Sequence, residues 1–455
     1  MLTSQTSLRQ LRAAIAKAVI VGLGLIGLTC AQIPNPAAAQ SALIPDAPLL
    51  ATNTRIIQTQ RNAHLEIDLS GKVEPHVFLL ETPDRLIIDL PHVSFMGEAP
   101  PLSSRRALIK TFRSGLFVKD QSRVILDLSS PVKIMSKRVE AAQDGKSPAR
   151  LVIDLVKADR KTFHAAVEPE PAQNRDLADL RPTERGGAEL PEKPQANAAQ
   201  LPLIVIDPGH GGPDSGAIGI GGIVEKTTVF NFALALKERL ESSRRYRVML
   251  TRDQDVFVPL AERMRLARAA NAELFLSLHA DTLSREHSVA GATVYTVSDR
   301  ASDAEAARIA AHENMADQAG GLVVASQPPE VADILIDLTR RETRSYAHVF
   351  SKSLINAWKS GPFLSLNKNP QRAAGFVVLK APDVPSVLLE LGYLSSPSDA
   401  KALASDEWRH TASLSVLAAI DSFFTNHNPP KKAETNPADQ TDVAPTASVT
   451  AQPHL

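Results

Sequence analysis

A chain of 455 residues, 44% of them hydrophobic, has room for two or three domains with substantial cores. Its 50 Lys and Arg balance 50 Asp and Glu, so it carries no basic footprint for nucleic acid and no nucleic-acid partner is expected. The single cysteine, Cys30, excludes a disulfide framework and a thiolate metal site.

Residues 1–39 carry Arg9, Arg12 and Lys17, then an apolar run from Ala18 to Leu28, then Ala37-Ala38-Ala39. This is the form of a secretory signal peptide cleaved after Ala39. The apolar run is short for a membrane span, so cleavage is favoured over retention as an anchor, and no transmembrane anchor is expected afterwards. Cys30 falls inside this segment and lacks the leucine three residues earlier that a lipoprotein site needs.

From residue 51 to 157 short strands dominate. Arg85-Leu86-Ile87-Ile88-Asp89-Leu90, Arg123-Val124-Ile125-Leu126-Asp127-Leu128 and Arg150-Leu151-Val152-Ile153-Asp154-Leu155 are near copies, and Leu65-Glu66-Ile67-Asp68-Leu69 is a looser fourth. Such repeats separated by turns imply an all-β sandwich domain, with the aspartates pairing with arginines across strands rather than doing chemistry. Residues 158–200, with Glu168-Pro169-Glu170-Pro171 and Pro191-Glu192-Lys193-Pro194, read as a disordered linker that leaves the flanking domains free to move independently.

Residues 201–427 alternate strand and helix, which predicts an α/β domain with a mixed sheet flanked by helices. Leu203-Ile204-Val205-Ile206 is a buried strand, and Asp207-Pro208-Gly209-His210-Gly211-Gly212 ends it in a tight turn that delivers His210 at its carboxyl end. A glycine-rich loop then leads to Glu225 and an amphipathic helix over 226–241. A strand over 247–251 and a helix from Pro259 to Ala270 precede Leu274-Phe275-Leu276-Ser277-Leu278, which again ends in histidine, His279, followed by Ala280-Asp281. After a strand over 291–297 comes a helical insertion, about 298–372, with helices expected over 302–319, opened by a capping box at Ser302 to Glu305, and over 331–358. Strands are expected over 375–379 and 385–392, the second carrying Glu390, then a last helix over 407–424 and a disordered tail over 428–455.

Two histidines at the ends of buried strands could share one metal, and carboxylates at Glu225 and Glu390 are near enough in the pattern to join them. His, Glu, His and a separate Glu make a catalytic-zinc inventory: three ligands, an open position and a proton acceptor. Asp281 could orient a ligand or approach the metal itself. The other histidines read as surface or core residues. Arg252 and Arg263 could meet substrate carboxylates, though bracing ion pairs are the plainer reading.

Asp207-Pro208-Gly209-His210-Gly211-Gly212, Glu225, Ser277-Leu278-His279-Ala280-Asp281 and Leu388-Leu389-Glu390-Leu391-Gly392 resemble, in order and spacing, the motifs of the zinc-dependent N-acetylmuramoyl-L-alanine amidases of bacterial cell division. The resemblance implies Zn2+ held by His210, Glu225 and His279, with Glu390 as the catalytic glutamate. It implies a periplasmic enzyme that cuts the amide between N-acetylmuramic acid and L-alanine of peptidoglycan for septal splitting. The β repeats resemble an AMIN domain, which would hold the enzyme on peptidoglycan. The insertion resembles the helix that plugs the zinc cleft in such amidases until an activator protein of the divisome withdraws it; Glu313 is the acid that would reach the metal, with Glu305 second. A non-catalytic wall-binding protein, or a zinc peptidase acting on stem peptides, remains the alternative.

Overall fold

The computed structural model describes residues 48–96, 99–102, 107–141, 148–167, 201–283, 289–322 and 334–426, with no side-chain description at 334–338. The leader-like segment, most of the expected linker, the expected tail, and residues 331–333 at the start of the helix expected over 331–358 lie outside what is described. Among the described residues no helix is long and apolar enough to cross a membrane.

The N-terminal domain is a β-sandwich of nine strands: β1 (Leu49–Gln58), β2 (Asn62–Leu69), β3 (His76–Leu80), β4 (Arg85–Pro91), β5 (Val93–Phe95), β6 (Ile109–Val118), β7 (Gln121–Leu128), β8 (Val132–Glu140) and β9 (Ala149–Lys157). One sheet has the order β5-β1-β2-β9-β8, the other β3-β4-β7-β6. Leu65, Ile67, Leu86, Ile88, Val124, Leu126, Leu151 and Ile153 fill the space between them. The repeated Arg and Asp positions meet across strands, as Asp89 with Arg123 and Asp68 with Arg150 in register. These are structural pairs, as the repeats suggested.

The segment assigned to linker from residue 158 starts as structure. Asp159 accepts a hydrogen bond from the amide of Thr162 and caps the helix Arg160–Ala166, whose Phe163 is buried in the sandwich core. Its proline-poor first ten residues separate it from the true Pro-rich stretch.

Strands β4 and β7 are buried on both faces, which is why their apolar runs are continuous rather than alternating. The outer face of their sheet, with Phe78, Leu80, Ile87 and Ile125, is covered by the α/β domain. There Leu116 bridges to Val256 and accepts a hydrogen bond from the amide of Phe257 at 3.0 Å, and the rings of Phe117 and Phe257 stack at 5.6 Å. The domains are therefore in contact, against the expectation of independent bodies, because the sandwich has an apolar face that needs covering.

The α/β domain is built on a six-stranded sheet, β11-β10-β12-β15-β13-β14, of strands β10 (Leu203–Pro208), β11 (Arg247–Leu250), β12 (Leu274–His279), β13 (Ala292–Val297), β14 (Leu366–Ala374) and β15 (Ser386–Glu390). The first four in that order are mutually parallel, while β13 runs antiparallel to β15 and β14 follows β13. Helices Glu225–Ser242, Ile334–Ser360 and Asp406–Asn426 pack on one face, and Leu260–Ala269 and Ala304–Glu313 on the other. The mixed, helix-flanked sheet agrees with the sequence pattern.

Two local expectations change. The run Gly375 to Leu379 is no strand but the 3-10 turn Val377–Leu379, after a strand that ends at Ala374. Its apolar residues serve the core without a pairing partner, a case that apolarity alone cannot separate from a strand. The helix expected over 302–319 breaks into Ala304–Glu313 and Ala316–Ala319. Asn314 at the break donates to the Gly375 carbonyl at 2.9 Å and accepts from the Val377 amide at 2.8 Å. The N-cap is Asp303 rather than Ser302, its carboxylate accepting from the Ala306 amide at 2.9 Å.

Phe163→Ala should lower the stability of the β domain by about 3–5 kcal/mol, the cost of emptying a closed core site. Denaturant unfolding followed on that domain checks this, and an unchanged midpoint would show that the helix is not docked.

Candidate metal centre

Strand β10 ends at Pro208, and the turn beyond it places His210 at φ 59°, a left-handed conformation that costs a non-glycine residue about 1–2 kcal/mol. The surroundings hold it there. Arg263, 2% exposed, donates to Asp207 Oδ1 at 2.8 Å and to the carbonyls of Pro208, His210 and Val258 at 2.9, 2.8 and 2.8 Å. Arg252 donates to the carbonyls of Pro208 and Gly209, each at 3.0 Å. Both arginines thus brace the loop with buried guanidinium groups, and the bracing reading prevails over substrate binding.

His279 comes from the end of β12, and in the register of parallel strands it stands opposite Glu390 at the end of β15. Glu225 opens the helix Glu225–Ser242 and turns inward, where Oε1 accepts from the Ala280 amide and Oε2 from the Ala217 amide, both at 2.8 Å. Two glycines leave the room required. A Cβ at Gly209 would lie 2.5 Å from the His279 ring, and one at Gly216 would lie 2.6 Å from the His210 ring and 2.7 Å from Glu225 Oε2.

His210 Nε2 lies 3.2 Å from Glu225 Oε1 and 3.5 Å from Glu313 Oε2; His279 Nδ1 lies 3.3 Å and 3.0 Å from the same two oxygens. Ligand bonds of about 2.0–2.1 Å put tetrahedral ligand atoms about 3.3–3.4 Å apart, close to all four separations. Yet these contacts are not aligned as hydrogen bonds: His210 Nε2, His279 Nδ1 and both Glu313 oxygens are buried without a hydrogen-bond partner. The two unpaired nitrogens and the unpaired Glu313 Oε2, with Glu225 Oε1 completing the same ligand-edge spacing, fit a cation between them.

The electrostatics agree. Burial lowers the pKa of His210, but Glu225, Asp214 and Glu313 outweigh it and raise it well above the usual value. His279, burial notwithstanding, is raised to about 10 by Glu313 and Glu225. Burial would raise the two acids, but the histidines pull Glu313 down to about 2 and Glu225 well below its ordinary range. The pocket is arranged for a positive centre.

The predicted residues divide cleanly. His210, Glu225, His279 and Glu313 converge, with Glu313 at the tip of the helix Ala304–Glu313 and 3% exposed. Glu305 turns away and pairs with Arg372 at 3.3 Å. Asp281 is outside the convergent group; its carboxylate faces His312 of the same helix at 3.5 Å. Glu390 is fully buried beside the group, one oxygen accepting from the Asp281 amide at 3.1 Å and the other unpaired. Burial raises its pKa well above the ordinary value; His279 opposes this, and Glu225, Asp281 and Glu313 add to the rise.

Two functional residues escaped the sequence reading. Asp214 accepts from His210 Nδ1 at 2.9 Å, which fixes the tautomer whose free Nε2 faces the group. Asp207, wholly buried, takes Arg263, Thr251 and Ser277 on its two oxygens. An aspartate inside a glycine-rich turn and one ending an apolar strand were the available signals.

A family model described as N-acetylmuramoyl-L-alanine amidase matches residues 204–422, and an AMIN domain model matches residues 53–155. The chain is 29% identical over 402 residues to the N-acetylmuramoyl-L-alanine amidase AmiC of Neisseria meningitidis, covering 86% of this chain and 93% of that one. It is 31% identical over 380 residues to AmiC of Escherichia coli, covering 82% and 89%. Among solved structures, the N-acetylmuramoyl-L-alanine amidase AmiC2 of Nostoc punctiforme is 26% identical over 50% of this chain and 99% of that one, with a TM-score of 0.36. With its two histidines and two glutamates converging inside the region matched by the amidase model, the chain belongs to the N-acetylmuramoyl-L-alanine amidases.

Proposed function

We propose that this chain is a zinc-dependent hydrolase of the amide between N-acetylmuramic acid and L-alanine in peptidoglycan, active outside the cytoplasm and blocked by its own helix Ala304–Glu313. The observation that carries the reading is the buried cluster of His210 Nε2, His279 Nδ1 and Glu313 Oε2, all unpaired, with Glu225 Oε1 at ligand-edge spacing beside them, in the amidase-matched region. His210, Glu225 and His279 would hold the metal, all three being fixed by the scaffold: β10, the start of a long helix, and β12. Bound there, zinc supplies Lewis-acid polarisation of the scissile carbonyl.

The protein's own part is proton traffic and position. Glu390, as a carboxylate made more basic by burial, takes the proton of the attacking water and passes it to the leaving nitrogen of L-alanine. A C–O bond forms to the lactyl carbonyl, the C–N bond breaks, and a carboxylate and a free amine result. Asp214 keeps His210 in the tautomer with Nε2 free. The β domain, matched by the AMIN model, would hold the chain on the polymer, and the leader-like residues 1–39 would export it to the periplasm.

Glu313 completes the fourth edge position, where it excludes both water and substrate. A wall hydrolase blocked in this way works only when the helix is displaced, which calls for an activator that binds the open form more tightly than the closed one. Septal wall splitting is the setting in which such restraint is useful.

Glu390→Ala should retain one zinc per chain and lose turnover, by at least about 100-fold for a lost acid-base group, whereas His279→Ala should lose both. Metal analysis and mass analysis of products from purified peptidoglycan check this: free stem peptides with intact glycan strands are expected, and glycan-attached shortened peptides would instead make the enzyme a peptidase. Asp214→Asn should weaken zinc affinity about 10- to 100-fold in chelator competition. Glu313→Ala should raise basal turnover without any partner; a wild-type enzyme that is equally fast would remove the block.

A further inference from the structure

The helix Ala304–Glu313 does not end in solvent. After the break at Asn314 the chain continues through the short helix Ala316–Ala319 to Leu322, and this stretch lies on the outer face of the β domain. Three arginines of that face reach its backbone. Arg85 donates to the Gln318 carbonyl at 2.7 Å, Arg113 to the Ala319 carbonyl, and Arg123 to the Gly321 carbonyl at 3.1 Å. In return Gln318 Nε2 donates to the Thr82 carbonyl at 2.7 Å. The carbonyls at the end of a helix have no intrahelical donor of their own, so charged donors there replace water with stronger bonds.

The fit is also steric. Leu322 is fully buried with Phe117 and Phe257, while Arg123, itself fully buried, sits 3.5 Å from the centre of the Phe117 ring and is held by Asp89 at 2.6 Å. A Cβ at Gly320 would lie 2.3 Å from the Phe257 ring, and Gly321, at φ 82°, brings its backbone against Ile125 and Arg123. The first contact packs the stretch against the α/β domain, and the second, at 3.0 Å from Ile125 and 3.2 Å from Arg123, brings its backbone close to the β-domain face. On its other side the stretch is tied to the α/β domain, where Asp317 accepts from the Leu260 amide at 2.9 Å.

We propose that the outer face of the β3-β4-β7-β6 sheet is a latch for the blocking segment: Arg85, Arg113 and Arg123 hold the carbonyl end of residues 318–321, and thereby keep Glu313, a few residues upstream, at the metal. The β domain then does more than carry the enzyme to its polymer. Any partner that pulls the β domain away from this stretch, the polymer included, favours the open site, and displacement of the blocking helix loosens the β domain in turn, since coupling between two sites is reciprocal. The proposal rests on the reading of Glu313 as the block, but its core, that the β domain retains residues 304–322, is separately measurable.

The test uses the full chain carrying Arg85→Ala and Arg113→Ala together, with amide hydrogen exchange over residues 304–322 as the main readout and basal hydrolysis of soluble muropeptides as the second. Exchange in that window should speed up by about tenfold, with hydrolysis rising alongside. Because Arg113 also pairs with Asp127, Gln318→Ala attacks the contact from the other side and leaves the β domain intact; it should shift the same window in the same direction by a smaller factor. Arg138→Ala, exposed on β8 in the other sheet, should change nothing. Unchanged exchange in both latch variants, or an equal rise in Arg138→Ala, overturns the latch. If Glu313→Ala activates while the latch variants stay closed, the block stands and the latch falls; if the latch variants open the segment but Glu313→Ala does not activate, the latch stands and the block falls.

Discussion

The candidate metal centre depends on a carboxylate outside it. Asp207 ends β10 wholly buried, and its two oxygens gather Arg263 from the helix Leu260–Ala269, Thr251 from the end of β11 and Ser277 from β12. A buried carboxylate is tolerable only with such partners, and removing one partner of a buried pair costs about 3–5 kcal/mol. That requirement locks three neighbouring elements to one strand end. The same Arg263 then holds the His210 carbonyl, so the strained turn inherits its geometry from a charge pair some residues away. The histidine is positioned by the need to satisfy an aspartate.

A second constraint orders the N-terminal half. Strands β4 and β7 carry apolar residues at successive positions, and a sandwich with water on its outer face has no use for that. The surplus is spent on the contact with the α/β domain. Guanidinium groups at Arg85 and Arg123 sit in this otherwise apolar face because backbone carbonyls and an aspartate are there to receive them. The AMIN-matched module and the amidase-matched module are thus joined through a surface whose chemistry is that of a core.

Much of this is legible in the chain. His210, Glu225 and His279 of the convergent group, and Glu390 beside it, each adjoin the end of an element that apolar patterning marks, and the sheet brings those ends together without special devices. Glu313 was found through its resemblance to a plugging helix, since nothing in alanine-rich residues 304–313 distinguishes that acid from Glu305 except which face meets the metal. Asp214 and Asp207 were missed because a hydrogen bond to an imidazole and a three-way buried carboxylate exist only once separate strands are adjacent. The linker reading fails at its start because composition averages over a window, and Phe163 is the single aromatic residue among ten. The expectation of independent domains fails for a subtler reason: the continuous apolar runs of β4 and β7 fit internal repeats and equally strands covered on both sides, and the sequence alone does not separate the two.

The reversal of β13 relative to β15 has a mechanical side. Because Val297 stands near the amino-terminal end of β15, the chain leaves the sheet at the end opposite the convergent histidines and glutamates, and the helix Ala304–Glu313 must return along it. Its length, about 13 Å at 1.5 Å per residue, matches the rise of the five-residue strand β15, about 13 Å at 3.3 Å per residue. The helix is therefore a lever as long as the sheet is deep, with its fulcrum at the Asp303 cap and Arg372 and its working end at Glu313. A tilt of about 20° about that fulcrum carries the tip about 4–5 Å, twice a ligand bond length of about 2 Å. Under the block proposed above, clearing the cleft would take a small swing of an intact rod, with the base still pinned to β14.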